Sequence, residues 1–347
     1  MRAIVYHGPG QKAWEEVPDP TIDVETDAIV RVDAVTICGT DLHILKGDVP
    51  TVTEGRILGH EAVGTVEAVG AGVTTVRPGD RVLVSCITSC GRCRFCREGR
   101  YGLCTGGGGW ILGHRIDGTQ AEYVRVPFAD TSTHHVPDGV ADEAVLMLAD
   151  IGPTSYEVGV LNGRVGPGDT VAVVGAGPIG LAAILTARLF SPSQIVAIDL
   201  ADARLDAAKR FGATVQVQSQ HQDPVKVVSE LTGGLGADSV IEAVGLPETF
   251  ELCTRLVRPG GVVANVGVHG RPATLHLEDL WIKGVTITTG LVDTYSTPTL
   301  LELISSGQLD VEGFVTHRFA FDGFMDAYDT FARAGETGAL KVALTRS

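Results

Sequence analysis

The chain has 347 residues, 44% of them hydrophobic, and is long enough for two domains with sizeable buried cores. Its formal net charge of −15 makes nucleic acid and anionic membrane surfaces poor partners. No apolar run approaches the roughly 20 residues that cross a bilayer, and the start, MRAIVYHGPGQKAW, lacks the apolar core of a signal peptide. We therefore expect a cytoplasmic protein, in which clustered cysteines more often bind metal than form disulfides.

Up to about residue 150, short runs typical of β-strands alternate with turns rich in Gly, Pro and Asp. This spacing predicts a compact, barrel-like β domain. The runs are AIVRVDAV (28–35), GTVEAVG (64–70), GDRVLVSC (79–86) and AEYVRVP (121–127). The next segment, VADEAVLMLA (140–149), predicts a helix.

Two short motifs at the ends of strand runs in this part contain candidate metal ligands. Cys38 begins CGTDLH, and His60 lies in LGHE. Either motif alone could equally be a buried thiol or a packed imidazole. Together with Asp150, in LADIGPTSY, they offer one soft and two harder ligands. Three protein ligands with a position left for water or substrate are typical of a catalytic zinc.

The stretch CITSCGRCRFCREGRYGLC (86–104) contains five cysteines. Four of them follow the spacing C-x2-C-x2-C-x7-C, namely Cys90, Cys93, Cys96 and Cys104. Short loops of this kind wrap four thiolates around one tetrahedral zinc and leave no open coordination position, so the predicted zinc is structural. Cys86 is predicted to be a strand-end residue and Cys253 a helix core residue.

From residue 170 onward, apolar strands alternate with helices, which predicts βαβ units and a parallel sheet covered on both faces. The glycine-rich turn GAGPIG follows the first of these strands and opens a helix, with Gly175, Gly177, Pro178, Ile179 and Gly180 in the turn. In this context the motif predicts a dinucleotide site whose pyrophosphate lies on the helix N-terminus. Asp199 ends the next strand, where a carboxylate binds ribose hydroxyls and repels a 2′-phosphate, so NAD is favoured over NADP.

With these motifs in this order, the chain resembles the zinc-dependent medium-chain alcohol dehydrogenases over essentially its whole length. The resemblance rests on CGTDLH, GHEAVG, the four-cysteine lobe, GAGPIG, the Asp after the second strand and the closing KVAL. It implies an α/β protein in which residues 1–152 and 291–347 form a chaperonin-10-like β catalytic domain. Residues 153–290 would form a Rossmann domain with a doubly wound parallel sheet, and the active site would lie in the cleft between the domains.

The resemblance also assigns roles to single residues. It makes Cys38, His60 and Asp150 the catalytic zinc ligands, as in bacterial members that carry Asp where many relatives have a second cysteine. It places Glu61 near the zinc, Thr40 on the alcohol oxygen and His43 at the end of the proton path. Cofactor contacts are implied for Arg204 near the adenosine ribose, Lys341 near the pyrophosphate and Thr154 beside the nicotinamide.

The substrate is the least determined feature of the sequence. Trp110 is a candidate wall of the pocket, and Gly152 stands where relatives with Asp as ligand often have a bulky residue. The resemblance implies reversible hydride transfer between NAD and an uncharged primary or secondary alcohol, with two zinc ions per chain in a homodimer or homotetramer. Polyol, butanediol, threonine and formaldehyde dehydrogenases have overlapping motifs. A zinc-free quinone reductase or a non-catalytic NAD-binding protein is a further alternative, against which the ligand trio argues.

Overall fold

The structure is a computed structural model of the chain, and it describes residues 1–346. The strands, in chain order, are β1 (Arg2–Tyr6), β2 (Lys12–Glu16), β3 (Ala28–Thr36), β4 (Ala62–Val69), β5 (Arg81–Val84), β6 (Tyr123–Val126), β7 (Thr133–His135), β8 (Thr170–Val174), β9 (Gln194–Asp199), β10 (Val215–Gln218), β11 (Ala237–Glu242), β12 (Val257–Asn265), β13 (Thr286–Thr289), β14 (Val315–Ala320) and β15 (Lys341–Thr345). No helix among these described residues combines the length and apolar content needed to cross a membrane.

The helices are mostly short. They are α1 (Gly39–Lys46), α2 (Arg94–Arg97), α3 (Ala129–Ser132), α4 (Asp142–Leu146), α5 (Ile151–Pro153), α6 (Pro178–Ala187), α7 (Asp202–Phe211), α8 (Pro224–Leu231), α9 (Pro247–Leu256), α10 (Leu277–Leu280), α11 (Thr297–Ser305), α12 (Phe324–Ala332) and α13 (Ala334–Thr337). The chain continues from α5 into a π-helical segment, Thr154–Leu161, and forms short 3₁₀ turns at Tyr101–Leu103, Arg188–Phe190 and Phe321–Gly323.

The chain divides into two compact units. The first comprises Met1–Asp150 together with the residues from Asp293 onward, and the second is Ile151–Val292. Both boundaries lie two residues from those expected from the sequence. The first boundary differs because helical structure begins at Ile151 and runs on into the π-helical segment, which packs against α6 of the second unit.

The first unit is built on a seven-stranded sheet in which β3 is the central element. The order is β14-β15-β3-β4-β5-β7, and β6 also pairs with β3. β3 is mostly buried, and its C-terminal part pairs antiparallel with β15 through Thr36 and Ala343. This pairing brings the start of β15 close to the residues that follow β3, among which is Cys38.

The second unit contains a six-stranded sheet in the order β10-β9-β8-β11-β12-β13, with every adjacent pair parallel. β8 is buried throughout, as its sequence TVAVV predicts for a central strand covered on both faces. The order reverses between β8 and β11, as in the Rossmann fold, so ligands are expected at the carboxyl ends of these strands. GAGPIG follows β8 at this point.

Candidate active site and metal centres

Cys38 lies at the start of helix α1, a helix that the strand pattern of this region did not predict. Its backbone N–H donates to Oδ2 of Asp41 at 2.8 Å, which caps the first turn. The helix ends at Gly47, whose φ of 84° suits glycine. Thr40 and His43 are three residues apart on this helix and therefore lie on the same side of it.

The three predicted catalytic zinc ligands come together within the first unit. Oδ2 of Asp150 lies 3.6 Å from Sγ of Cys38 and 3.4 Å from Nε2 of His60. A tetrahedral zinc with bonds of about 2.3 Å to sulfur and about 2.1 Å to nitrogen and oxygen separates its ligands by about 3.4–3.6 Å. Together with Glu61, these residues have ligand atoms that all lie within 4.8 Å of one another. The distances and the donor types fit a zinc ion.

The charges around this group also fit a cation. His60 and Glu61 are almost completely buried, and burial together with the nearby Glu61 charge raises the pKa of the Cys38 thiol. A bound metal would supply the positive charge that a buried thiolate and carboxylate need.

Lys341 lies beside this group, where the structure gives it a different partner from the one expected. Its Nζ is 2.8 Å from Oε2 and 3.0 Å from Oε1 of Glu61, and it also donates to the carbonyl O of Ile37 at 3.4 Å. Burial disfavours the ammonium, but the charges of Glu61 and Cys38 raise the pKa of Lys341 above its usual value. The contact of Lys341 with the cofactor pyrophosphate stays a prediction, and in this structure the Lys341 ammonium is held inside the first unit by Glu61.

A buried polar group behind Cys38 was missed in the sequence analysis. Oδ2 of Asp41 accepts a second hydrogen bond from Nε2 of Gln120 at 3.0 Å, and Oε1 of Gln120 accepts one from the hydroxyl of Tyr328 at 2.6 Å. All three side chains are at most 1% exposed. The chain of bonds fixes the first turn of α1 and with it the Cys38 thiolate. The local sequence signal for this group is Asp41, because an acidic residue three positions after Cys38 can cap the start of a helix.

Thr40 and His43 extend from the metal group toward the surface. Oγ1 of Thr40 lies 3.7 Å from Sγ of Cys38. The His43 side chain is 45% exposed, and its Nδ1 lies 2.8 Å from Oδ2 of Asp48. A hydroxyl beside the metal ligands and an exposed imidazole three residues further along the helix are suited to moving a proton outward.

Trp110 stands next to His60, one of the predicted zinc ligands. The two rings meet edge to face with centroids 6.4 Å apart, and Trp110 stacks on His114 at 4.4 Å. His114 is itself held by Oγ1 of Thr51 at 2.7 Å from Nε2. The indole is thus fixed on one side of the metal group, as a pocket wall requires. Gly152 belongs to the second unit, where it is buried within α5.

A second candidate metal centre is formed by the four cysteines of the 86–104 stretch other than Cys86. Sγ of Cys96 lies 3.4 Å from Sγ of Cys93 and 3.9 Å from that of Cys90, near the separation of about 3.8 Å that a tetrahedral zinc imposes on thiolates. Backbone N–H groups of Cys90 and Gly106 donate to Sγ of Cys104, which stabilises thiolate charge. Hydrogen bonds from the backbone of Cys96 and Thr105 lower the pKa of Cys93 to about 5. This centre fits a closed four-thiolate zinc.

The glycine turn of the second unit has the shape of a phosphate site. Gly175 has a φ of 96°, and a Cβ at Gly180 would lie 1.8 Å from the carbonyl O of Gly175, so both positions require glycine. A Cβ at Gly177 would meet no protein atom within 4 Å. The backbone there is open at the N-terminus of α6, where Pro178 is the first helical residue, followed by Ile179. The space fits a dinucleotide pyrophosphate.

Asp199 ends β9 as expected, and its carboxylate is held by the turn that follows it and by the glycine turn after β8. Its carboxylate accepts the N–H groups of Ala176 at 2.7 Å, Leu200 at 2.7 Å and Ala201 at 2.9 Å. Nη1 of Arg204 lies 3.9 Å from Oδ2, with the Arg204 side chain 44% exposed. The two residues lie together, and the carboxylate retains acceptor capacity for a ribose hydroxyl. Thr154 begins the π-helical segment.

Comparison with known proteins places both units in one family. Residues 24–138 match the alcohol dehydrogenase GroES-like domain, and residues 178–306 match the zinc-binding dehydrogenase domain. An alcohol dehydrogenase from Cupriavidus necator is 39% identical over 370 residues, covering 99% of this chain and 98% of its own. The apo structure of zinc-dependent alcohol dehydrogenase 2 from Streptococcus pneumonia is 47% identical, with a TM-score of 0.96 and coverage of 100% and 99%. An alcohol dehydrogenase from Thermus sp. ATN1 is 38% identical, with a TM-score of 0.93 over 100% of both chains.

The chain therefore belongs to the zinc-dependent medium-chain alcohol dehydrogenase family. Its fold is the expected α/β combination of a GroES-like β unit and a Rossmann-like unit. It is an oxidoreductase of the zinc alcohol dehydrogenase type that acts on small molecules with zinc and a nicotinamide cofactor.

Proposed function

We propose that the protein oxidises an uncharged primary or secondary alcohol with NAD⁺ and catalyses the reverse carbonyl reduction. The observation that carries the proposal is the convergence of Cys38, His60 and Asp150, with the Thr40 hydroxyl 3.7 Å from Sγ of Cys38. When bound, the metal supplies Lewis-acid stabilisation of an alcohol oxygen and the nicotinamide supplies the hydride acceptor. Residues of this chain would hold both the metal and the nicotinamide cofactor.

The chain's own residues orient the alcohol and move its proton. Cys38, His60 and Asp150 hold the metal, and Oγ1 of Thr40 accepts the hydroxyl proton of the alcohol. His43 passes the proton to solvent, because its ring is exposed and lies on the same side of α1 as Thr40. Glu61 stays paired with Lys341 beside the ligands.

An uncharged substrate is favoured by the charge balance at the metal group. Lys341 is the lysine that contacts this group, and Glu61 already neutralises it. A carboxylate or phosphate on the substrate would therefore find no free ammonium there. Trp110, fixed on His114, supports an apolar wall for the carbon side of the alcohol. Diols, polyols, threonine and formaldehyde adducts are the competing substrates.

NAD is the proposed cofactor, with GAGPIG on the pyrophosphate and Asp199 on the adenosine ribose. The Asp199 carboxylate is fixed by three backbone N–H groups and would repel a 2′-phosphate. We also propose two zinc ions per chain, one at the ligand trio and one at the four cysteines. No disulfide joins any of the seven cysteines, which suits thiolate ligands in a reducing compartment such as the cytoplasm.

A homo-oligomer is the proposed assembly. β13 ends the six-stranded sheet, so its outer edge is available for pairing with another strand. Large apolar side chains in the segment that precedes β13 in the chain are strongly exposed, at 61% for Leu277, 75% for Trp281 and 73% for Ile282. A second copy that pairs its own β13 antiparallel across a two-fold axis would cover both the edge and these side chains.

The deciding experiment measures NADH formation with NAD⁺ and a matched series of primary alcohols, secondary alcohols, diols, polyols and threonine. Zinc is quantified in the same preparations of the wild type and of Cys38→Ala. We expect turnover of at least one uncharged alcohol, preference for NAD⁺ over NADP⁺, and loss of one zinc together with activity in the variant. A wild type that reduces no nicotinamide with any alcohol would sink the assignment, as would a Cys38→Ala variant with full activity.

A further inference from the structure

Cys86 is the cysteine of the 86–104 stretch that lies outside the four-thiolate centre. It follows β5 by two residues and is 3% exposed. Its backbone N–H donates to the carbonyl O of Ala149 at 3.1 Å, and its Sγ lies 3.8 Å from Oδ1 of Asp150 in hydrogen-bonding geometry. Cys86 therefore contacts the Asp150 segment through both its main chain and its side chain.

The two carboxylate oxygens of Asp150 have different surroundings. Oδ2 faces the other ligands, 3.6 Å from Sγ of Cys38 and 3.4 Å from Nε2 of His60. Oδ1 faces the Cys86 thiol. A carboxylate that binds a metal through one oxygen keeps its orientation when a donor holds the other oxygen. A thiol is a weak donor, but Cys86 is itself buried and the residues next to it and to Asp150 in the chain, Ile87 and Ala149, are buried as well, so little water competes for the contact.

We propose that Cys86 is a positioning residue for the metal ligand Asp150: its S–H group donates to Oδ1 and so directs Oδ2 at the metal. This inference rests on the proposed function, because it requires Asp150 to be a ligand. Cys86 itself is not among the residues whose ligand atoms lie within 4.8 Å of one another. Its role is to hold the carboxylate, and a side chain of equal size without a donor cannot replace it.

The test compares three substitutions of Cys86 by the zinc affinity of the holoenzyme, measured by competition with a chromophoric chelator. Cys86→Ser keeps a donor, Cys86→Val fills the site with a slightly larger side chain that has no donor, and Cys86→Ala removes the donor and leaves space. We expect Cys86→Val and Cys86→Ala to weaken one of the two zincs about 10-fold or more, the usual effect of losing an outer partner of a ligand. Cys86→Ser should stay close to wild type. Cys253→Ala, at the buried thiol of α9 in the second unit, is the control and should hold both zincs normally.

A second comparison separates positioning from packing. In an Asp150→Asn background, the additional change Cys86→Val should weaken zinc binding no further. The inference is overturned if Cys86→Val holds zinc as tightly as wild type, if all three variants lose it equally, or if Val is still harmful in the Asn background. A wild type whose zinc content matches that of Cys38→Ala would overturn the proposed function itself, and this inference with it. If the wild type binds zinc as proposed and Cys86→Val binds it just as tightly, only the inference about Cys86 is overturned.

Discussion

Nζ of Lys341 lies 2.8 Å from Oε2 of Glu61, and the two side chains are only 2% and 1% exposed. Each charge was removed from water to form this pair, so each depends on the other for compensation. The pair adjoins the predicted metal group, because Glu61 follows His60 in the chain and a Glu61 carboxylate oxygen belongs to the cluster of ligand atoms that lie within 4.8 Å of one another. Lys341 is the first residue of β15, so the arrangement of the residues around the metal group depends on the position of this strand.

Removing one partner of this pair should destabilise the protein strongly. Lys341→Met leaves a buried, unpaired carboxylate, and we expect the free energy of unfolding to fall by about 3–5 kcal/mol. The double change Lys341→Met with Glu61→Gln should recover part of this loss. Lys226→Met is the matched control, since Lys226 and Glu230 form an exposed pair at 3.9 Å, and its effect should stay below about 1 kcal/mol. Denaturant titration of the zinc-loaded proteins measures all three, and equal effects of the two lysine changes would contradict the argument.

The sequence could predict the parts of the site whose signals are local. The cysteine spacing of the lobe and the glycine spacing around Gly175 act within short loops, so their residues come together wherever the loop lies. The partner of Lys341 is 280 residues away, and no local pattern connects the two positions. Only the pairing of β15 with β3 brings them together, which explains why the pyrophosphate was the expected contact.

Helix α1 is a second element that the local sequence pattern does not predict. CGTDLH follows a strongly apolar strand, and its short length gave no helical periodicity. The helix forms because Asp41 caps the N–H of Cys38 and Gly47 ends the last turn. The consequence for function is that Thr40 and His43 share one side of a helix, which a strand would not give them at a spacing of three.

Thr40 should be required for turnover but not for metal binding. Thr40→Val removes the hydroxyl and keeps the branched shape, and we expect kcat/KM for the best alcohol to fall about 100-fold or more, as for loss of a proton-transfer group. Zinc content should remain unchanged, and Thr40→Ser should retain most activity. Steady-state kinetics and metal analysis on the same samples check this. Unchanged turnover in Thr40→Val would exclude a proton path through this hydroxyl.

Gly177 should separate cofactor binding from stability. Its φ of −74° is accessible to any residue, and an added Cβ meets no protein atom within 4 Å. Gly177→Ala should therefore leave the melting temperature unchanged while the methyl group occupies the approach of the pyrophosphate, weakening NADH about 10-fold or more. Gly335→Ala is the matched control, because it too has open space around the added Cβ. NADH fluorescence titration and thermal melting measure the two effects, and wild-type NADH affinity in Gly177→Ala would place the pyrophosphate elsewhere.

The four-cysteine lobe should contribute stability and no chemistry. Cys93→Ala opens the thiolate set, so we expect loss of one zinc and a lower melting temperature, because a structural zinc contributes folding free energy. Cys38→Ala should also lose one zinc, but with a smaller change in melting temperature and complete loss of activity. Metal analysis, thermal melting and assays of both variants distinguish the two centres. Equal melting temperatures for Cys93→Ala and wild type would contradict a structural role.

His134 should make stability depend on pH between about 4 and 6.5. Burial lowers the pKa of its imidazole to about 4, and its Nε2 has no hydrogen-bond partner among residues 1–346. In the unfolded chain the pKa returns to about 6.5, so between these values the unfolded state binds a proton that the folded state does not. Stability contributed by the neutral ring is complete above pH 6.5 and declines as the pH falls toward 4.

His134→Phe removes this titrating group. The free energy of unfolding of His134→Phe should therefore decrease less than that of wild type when the pH is lowered from 7 to 5.5 at constant zinc. The difference at pH 7 reports packing alone and serves as the reference. Parallel pH dependences in the two proteins would mean that His134 is protonated as readily in the folded state as in the unfolded chain.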